Sequence, residues 1–132
     1  MEEAGMQDKS RKNNDLGDFG EGLASRHLEG MGFRILGRNI RYKVGEIDIV
    51  ASKKGELHFI EVKTRTSIAF GDPLESVTEA KKRRLRRAAE MYILKARNNI
   101  KEKNIPPCYF GVIGVDLTDG EPRVECLLDA FD

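Results

Sequence analysis

The sequence lacks the features of a membrane-spanning, secreted or zinc-stabilised protein. No apolar run approaches the roughly 20 residues that cross a bilayer. Residues 1–14 are polar and have no apolar centre of the kind found in signal peptides. The two cysteines, Cys108 and Cys126, lie in separate apolar segments with no histidine nearby, which disfavours a zinc site. We therefore expect a cytoplasmic protein with free thiols and no membrane partner.

The net charge is also small. The chain has 132 residues, with 23 Lys and Arg against 22 Asp and Glu, so the net charge of +1 does not by itself indicate nucleic-acid binding. The apolar content of 39 % and charged content of 34 % are typical of one globular domain with one core. We predict a disordered N-terminal tail at residues 1–14 and a single domain at residues 15–132, since the first segment is almost devoid of apolar residues.

Two helices are predicted from apolar residues at helical spacing. The first covers residues 15–31, and its apolar stripe includes Phe19, Met31 and His27, which we expect to be a packed core histidine. The second covers residues 78–98 and begins at Thr78, a residue type that caps helix N-termini. Residues 67–76 contain Gly and Pro and are predicted to form a loop.

Five strands complete the predicted order αβββαββ. They are expected at residues 33–42, 46–52, 57–66, 108–117 and 123–128. A short turn joins the second and third strands, which predicts a hairpin. The fold class is therefore α/β (α+β), with a mixed central sheet flanked by helices.

Charged residues alternate with branched apolar residues on both strands of this hairpin. Period-two geometry puts Glu46 and Asp48 on one face of the second strand. It likewise puts Glu61 and Lys63 on one face of the third. Because burial of these charges is costly unless a cation and hydrogen bonds compensate, the pattern predicts a metal site that handles phosphate. A solvated charged face is the alternative.

Mg²⁺ or Mn²⁺ is the cofactor that such oxygen ligands favour. Asp48 and Glu61 offer two carboxylates, and the Val62 carbonyl offers a third ligand. A divalent cation there would neutralise charge on a phosphodiester, orient a water molecule and lower its pKa. Lys63 would hold the attacking water or stabilise charge on the phosphorus.

Taken together, these motifs resemble the PD-(D/E)XK nuclease superfamily, and more closely the YraN-like family of small bacterial proteins. The similarity covers nearly everything from residue 17 to 128. The matching segments are residues 17–24, 37–51, 59–65 and 70–85. One departure is Ile47, which replaces the proline that names the superfamily motif and removes no ligand.

The resemblance implies a restriction-endonuclease-like fold, shared with Holliday-junction resolvases. It assigns the metal and catalytic positions to Asp48, Glu61 and Lys63. It also implies that Glu21 is the acid of the first helix, and that Lys81 is the polar residue through which the second helix approaches the site. It does not specify a substrate.

Basic residues cluster on the second helix and near the site. The candidate nucleic-acid contacts are Arg41, Arg65, Lys81, Arg83, Arg86 and Arg87. A phosphate backbone would relieve their mutual repulsion and release counterions. No aromatic residue is interleaved with them, which favours recognition of a duplex or branched backbone over base stacking. A solvated helix face is again the alternative.

The functional prediction is a metal-dependent nuclease, and more specifically an endonuclease, that hydrolyses phosphodiester bonds in DNA, with branched or processed DNA as one candidate substrate. The sequence does not decide between DNA and RNA, between exo- and endo-cleavage, or between branched and linear substrates. The alternative is a non-catalytic nucleic-acid-binding or scaffold protein that retains the nuclease fold and works with a DNA-processing partner. A phosphatase is a third reading, but the chain has no phosphate-cradling glycine loop and no aspartyl nucleophile motif. A homodimer and a monomer are both compatible with the sequence.

Overall fold

The computed structural model describes residues 4–66, 77–100 and 105–132, and the side chains of residues 15–66, 77–96 and 105–132. Its helices are α1 (Ala4–Gly30) and α2 (Glu79–Ile100). Its strands are β1 (Arg34–Tyr42), β2 (Gly45–Lys53), β3 (Glu56–Arg65), β4 (Cys108–Asp116) and β5 (Arg123–Phe131). The predicted αβββαββ order and mixed α/β class are confirmed.

The five strands form one mixed sheet in the order β1-β2-β3-β4-β5. Strands β1, β2 and β3 form two consecutive hairpins, so the predicted pairing of β2 with β3 is confirmed. Strand β4 pairs parallel to β3, and β5 returns antiparallel to β4. The parallel pair needs a long crossover connection, and α2 lies within it.

One helix covers each face of the sheet. On one face, Ala24 and Leu28 of α1 pack with Ile49, Ile60 and other buried sheet residues. On the other face, buried residues of α2 pack with a second group of sheet residues. That cluster comprises Ile47, Val50, Phe59, Leu85, Ala88 and Ala89. The sheet is therefore buried on both sides, and β4 has five consecutive buried residues from Gly111 to Val115.

The alternation of β2 is interrupted at Asp48. Ile49 packs in the α1 cluster, whereas Ile47 packs in the α2 cluster. Strict period-two geometry would put residues 47 and 49 on the same face of the sheet. The two isoleucines instead lie on opposite faces. The register places Arg38 opposite Ile49 and Ile40 opposite Ile47, so Asn39, with a φ of 52°, lies opposite Asp48. Asn tolerates this left-handed backbone better than most residues.

Helix α1 differs from its prediction in extent and burial. It begins at Ala4 rather than at residue 15. His27 is exposed and is not a core histidine, while Phe19 and Met31 are 50 % and 39 % exposed. Of the apolar stripe predicted for this helix, only Ala24 and Leu28 are completely buried against the sheet. The predicted loop at residues 67–76 lies outside the described residues.

Thr78 caps α2 as predicted. Its hydroxyl oxygen accepts a hydrogen bond from the Lys81 N–H at 3.2 Å, and its carbonyl accepts one from the Lys82 N–H at 3.0 Å. The cap fixes where α2 begins and therefore which residues of its first turn face the sheet. In the described part of the chain, neither helix is long and apolar enough to cross a membrane.

Candidate active site

Asp48 lies where β2 and β3 stop pairing. Their ladder runs from Lys53 opposite Glu56 to Ile49 opposite Ile60. Immediately beyond it, the Asp48 carboxylate accepts a hydrogen bond from the Val62 N–H, with 2.7 Å between Oδ2 and N. The N–H and C=O of one strand residue project to the same edge, so the Val62 carbonyl also lies on the Asp48 side of β3.

Glu61 and Lys63 share a face of β3, as the sequence predicts. Lys63 Nζ lies 3.6 Å from Glu61 Oε2, and the two side chains are about equally exposed, at 22 % and 20 %. Half-burial reduces the solvent screening that weakens surface ion pairs. The pair therefore presents a carboxylate and an amine side by side, just beyond the point where β2 and β3 stop pairing.

The pKa of Asp48 reflects both its burial and the acids around it. Burial and then the charge of Glu61 raise the Asp48 pKa from 3.8 to about 7, against the opposing effect of the Val62 hydrogen bond. Glu21 and Glu46 raise it further. A carboxylate crowded by like charge in a poorly solvated place is stabilised by a nearby cation. We refer to Glu21, Asp48, Glu61 and Lys63 as the carboxylate site.

Glu21 reaches this site from α1. Its side chain is 12 % exposed, and its nearest basic partner is Arg38, with 3.9 Å between Nη2 and Oε1. Glu21 Oε1 is buried and has no hydrogen-bond partner among the described residues. Burial raises the pKa of Glu21, and Arg38 partly offsets this. Glu21 therefore has an unsatisfied oxygen and lies near enough to Asp48 for its charge to raise the Asp48 pKa.

The neighbouring glycine explains how α1 comes so close. A Cβ at Gly20 would overlap the Thr64 side chain of β3. Gly20 is itself buried, and the helix backbone rests against the strand at this point. The absence of a side chain at Gly20 therefore sets the approach that carries Glu21 to the sheet.

Lys81 reaches the site from α2. The neighbouring Lys63 amine is the largest cause of a lowered Lys81 pKa, and burial lowers that pKa further. Glu61 and Asp48 act in the opposite direction. The resemblance implied that the second helix approaches the site through Lys81, and the structure places this side chain near Lys63, Glu61 and Asp48.

The residues that could hold a metal ion are few. Within the described ranges, no three His, Cys, Asp or Glu side chains form a metal-binding group. Asp48, Glu61 and the Val62 carbonyl are nevertheless all oxygen donors and lie around the same gap. This set fits Mg²⁺, which is commonly held by one or two carboxylates and keeps several water molecules.

A cavity of about 480 Å³, here called the site cavity, opens beside Glu61. Its walls are the end of β1 and the following turn (residues 42–46), Glu61 of β3, and Lys81 and Arg84 of α2. A Cβ at Gly45 would overlap the Arg84 backbone, so the turn and the helix are in direct main-chain contact. The site cavity therefore has a closely packed frame.

Of the predicted nucleic-acid contacts, Arg83 and Arg87 are exposed on α2. Together with Ala80 and Arg84 they line a second cavity of about 260 Å³, here called the arginine cavity. Three guanidinium groups at one place, with one methyl side chain beside them, form a strongly cationic surface. This surface could receive a phosphate backbone.

Three other predicted contacts already have partners in the protein. Arg65 pairs with Asp116 at 3.1 Å, and Arg41 lies 3.7 Å from Glu46. Arg86 Nε donates to the Asp132 carbonyl at 2.6 Å, and its guanidinium lies over the Phe131 ring. Arg86 therefore holds the end of β5 against α2.

Sequence reasoning did not assign Arg84 or Tyr42 to the site, although both line the site cavity. Arg84 is three residues from Lys81, so helical spacing could have placed the two on one side of α2. Tyr42 had no such signal, because it ends β1 and meets α2 only through the folded sheet. The aromatic residue that seemed absent from the basic cluster is therefore supplied by a distant strand.

Comparison with known proteins gives one consistent result. The family described as "Uncharacterised protein family UPF0102" matches residues 20–115. A UPF0102 protein of Symbiobacterium thermophilum is 41 % identical over 117 residues, covering 88 % of this chain and 95 % of the relative. A UPF0102 protein of Clostridioides difficile is 43 % identical over 119 residues, covering 90 % of this chain and 98 % of the relative. The family match includes the carboxylate site and Lys81.

Proposed function

The chain belongs to the UPF0102 (YraN-like) family, within the restriction-endonuclease-like superfamily, and we propose that it is a Mg²⁺- or Mn²⁺-dependent nuclease that hydrolyses phosphodiester bonds in DNA. The observation that carries the proposal is the meeting of Asp48 and Glu61 at the end of the β2–β3 ladder, beside Lys63. Burial keeps their charges in a poorly solvated place, where a bound cation interacts strongly with them.

Asp48, Glu61 and the Val62 carbonyl would hold the metal ion. The donor chemistry fits, because all three are hard oxygen ligands. Burial and the charge of Glu61 raise the Asp48 pKa to about 7, and a bound cation would stabilise the ionised form against both effects. When bound, the ion supplies charge neutralisation and a water of lowered pKa.

The chain's own groups orient the reactants. Lys63 donates a hydrogen bond to the attacking water or to a phosphate oxygen, at the place where negative charge develops. Lys81, whose amine lies near that of Lys63, adds a second basic group from α2. The unsatisfied Oε1 of Glu21 accepts a hydrogen bond from water and fixes its orientation.

The DNA backbone crosses α2 in this proposal. Arg83, Arg84 and Arg87 contact phosphates beyond the cleaved bond, and Lys81 lies on the same helix closer to the site. Contacts of this kind position the substrate without reading its sequence. A DNA substrate also implies the cytoplasmic location expected from the sequence.

The experiment that tests this proposal measures metal binding and cleavage separately. Titration calorimetry with Mn²⁺ and Mg²⁺ compares wild type with an Asp48→Asn, Glu61→Gln double variant, in the presence of linear and branched DNA. We expect binding by wild type, loss of binding in the double variant, and cleavage by wild type alone. A wild-type protein that binds neither metal in the presence of DNA would overturn the proposed activity.

A second candidate function is DNA binding or scaffolding without cleavage. It is favoured by the absence of a group of three acidic, His or Cys ligands in the described residues. For this function, DNA affinity would be independent of divalent metal and unchanged in the double variant. Substitution of Lys63 would then leave every activity of the protein intact.

A further inference from the structure

The site cavity differs in chemistry from the arginine cavity. The arginine cavity is lined by Arg83, Arg84, Arg87 and Ala80, a set suited to phosphate alone. The site cavity combines three basic residues, two carboxylates and two residues with apolar surface. They are Lys43, Lys81 and Arg84, then Glu46 and Glu61, then Tyr42 and Val44. A nucleotide has the matching composition, because it joins an anionic phosphate to a flat, weakly polar base.

We propose that the site cavity binds one unpaired nucleotide next to the cleaved phosphodiester, so that the substrate is DNA with a flap, a frayed end or a branch rather than continuous duplex. This inference rests on the proposed function and specifies its substrate. A base inside an intact duplex cannot enter a side cavity without leaving the stack, which costs a few kcal/mol. An already unpaired nucleotide avoids that cost.

The size of the cavity suits this occupant. Its volume of about 480 Å³ lies within the roughly 300–1,000 Å³ of typical small-molecule sites. Glu61 lines it, so a nucleotide held there adjoins the carboxylate site directly. The phosphate that links this nucleotide to its neighbour is thereby brought to Asp48 and Lys63.

The two sides of the cavity have separate roles. Lys81 and Arg84 are three residues apart on α2 and form a basic wall. Val44, in the turn between β1 and β2, is 38 % exposed although it is apolar. An exposed valine contributes nothing to a phosphate contact, whereas it can pack against a base. Tyr42 extends this apolar wall toward the helix.

The frame of the cavity is preformed. The Gly45 main chain packs on the Arg84 main chain, and a side chain at Gly45 would force the turn away from α2. Tyr42 also packs against the apolar cluster beneath α2. The apolar and basic walls are therefore held at a set separation before DNA binds, which reduces the ordering cost of binding.

The test uses binding without cleavage. A 20-base-pair duplex is compared with the same duplex carrying a one-nucleotide flap of 2-aminopurine, in Ca²⁺, with affinity read by anisotropy and the flap by its own fluorescence. We expect wild type to bind the flapped DNA at least about 5-fold more tightly, since base contacts of this kind are worth about 1–3 kcal/mol. The flap fluorescence should change on binding.

Val44→Asp is the decisive variant, because Val44 is exposed and its replacement leaves the core intact. It should abolish the preference and the fluorescence change, as should Tyr42→Ala. The Arg83→Ala, Arg87→Ala double variant should weaken both DNAs equally and retain the preference. Equal affinity of wild type for the two DNAs, or a preference that survives Val44→Asp, would overturn the inference. A retained preference without any cleavage in Mg²⁺ or Mn²⁺ would overturn the nuclease activity alone.

Discussion

The Asp48 carboxylate takes the place of a β-ladder acceptor for the Val62 N–H, at 2.7 Å, where β2 and β3 separate. The bond fixes one oxygen of the side chain and leaves the other directed away from the Val62 nitrogen. It also satisfies a backbone donor that would otherwise be lost at the end of the ladder. One side chain therefore has a structural contact and a proposed ligand function at the same time.

Asp48 should make metal-free stability depend on pH. Its pKa is raised by folding, from 3.8 to about 7. The folded state therefore binds the proton more tightly, and this stabilisation is present at low pH and lost as pH rises through that window. Urea unfolding from pH 4 to 8 should show the wild-type stability falling relative to Asp48→Asn, by up to roughly 4 kcal/mol. Mg²⁺ should flatten the wild-type curve, and parallel curves for the two proteins would contradict the prediction.

Lys63 and Lys81 should affect cleavage without affecting metal binding. Lys63→Met should lower the cleavage rate by about 10²–10⁴-fold, the usual effect of losing a positioned proton-transfer or charge-stabilising group. Lys81→Met should give a smaller decrease. Lys82→Met is the matched control, because Lys82 lies over Phe131 and 3.8 Å from Glu79. Single-turnover assays with saturating Mn²⁺ measure all three, and equal losses in Lys81→Met and Lys82→Met would count against a site role for Lys81.

The α2 arginines should separate into two classes. Removing both Arg83 and Arg87 should lower the slope of log affinity against log salt by about 1.8, the value expected for two phosphate contacts. Arg86→Ala should leave this slope unchanged but lower the free energy of unfolding, because Arg86 holds the Asp132 carbonyl and covers Phe131. Anisotropy titrations at several salt concentrations give the slope. A change of slope in Arg86→Ala would reverse the assignment.

Gly20→Ala should destabilise the fold and displace Glu21. The added methyl group would overlap Thr64, and overpacking of this kind costs about 1–3 kcal/mol. Gly17→Ala is the control, because nothing lies within 4 Å of a Cβ there. Since Ala favours helix, that change should stabilise by up to about 1 kcal/mol. Urea denaturation measures both, and Thr64→Ala should restore part of the loss at Gly20. Similar effects at the two glycines would show that the close contact is unimportant.

Local patterns were enough to predict the placement of Asp48, Glu61 and Lys63, whose catalytic roles stay a prediction. The β2–β3 hairpin is short, so period-two spacing and one turn were enough to bring Asp48 near Glu61 and Lys63. Thr78 was likewise predicted from residue type and position alone. Even in this hairpin the period-two alternation of side chains is broken, because Ile47 and Ile49 of β2 lie on opposite faces of the sheet. The break is at Asp48, opposite Asn39 of β1, which has a positive φ.

Contacts between distant segments could not be predicted in the same way. Arg86 seemed available to DNA from its helical position, but its partners Phe131 and Asp132 belong to the far end of β5. His27 belonged to an apolar stripe, but it is exposed although Leu28 next to it is fully buried, so it lies at the edge of the packed face. Both outcomes depend on how the elements pack together, which local periodicity does not specify.

The parallel pairing of β3 with β4 bears on the order in which the protein folds. Arg65 and its partner Asp116 are 51 residues apart in the chain, whereas Asp48 and Val62 are separated by 14. Short loops close at a lower entropic cost than long ones. We therefore expect the hairpin that holds both carboxylates to form early, while α2 and β4 dock later. The carboxylates of Asp48 and Glu61 would then be brought together before Lys81 and the arginines of α2 reach them.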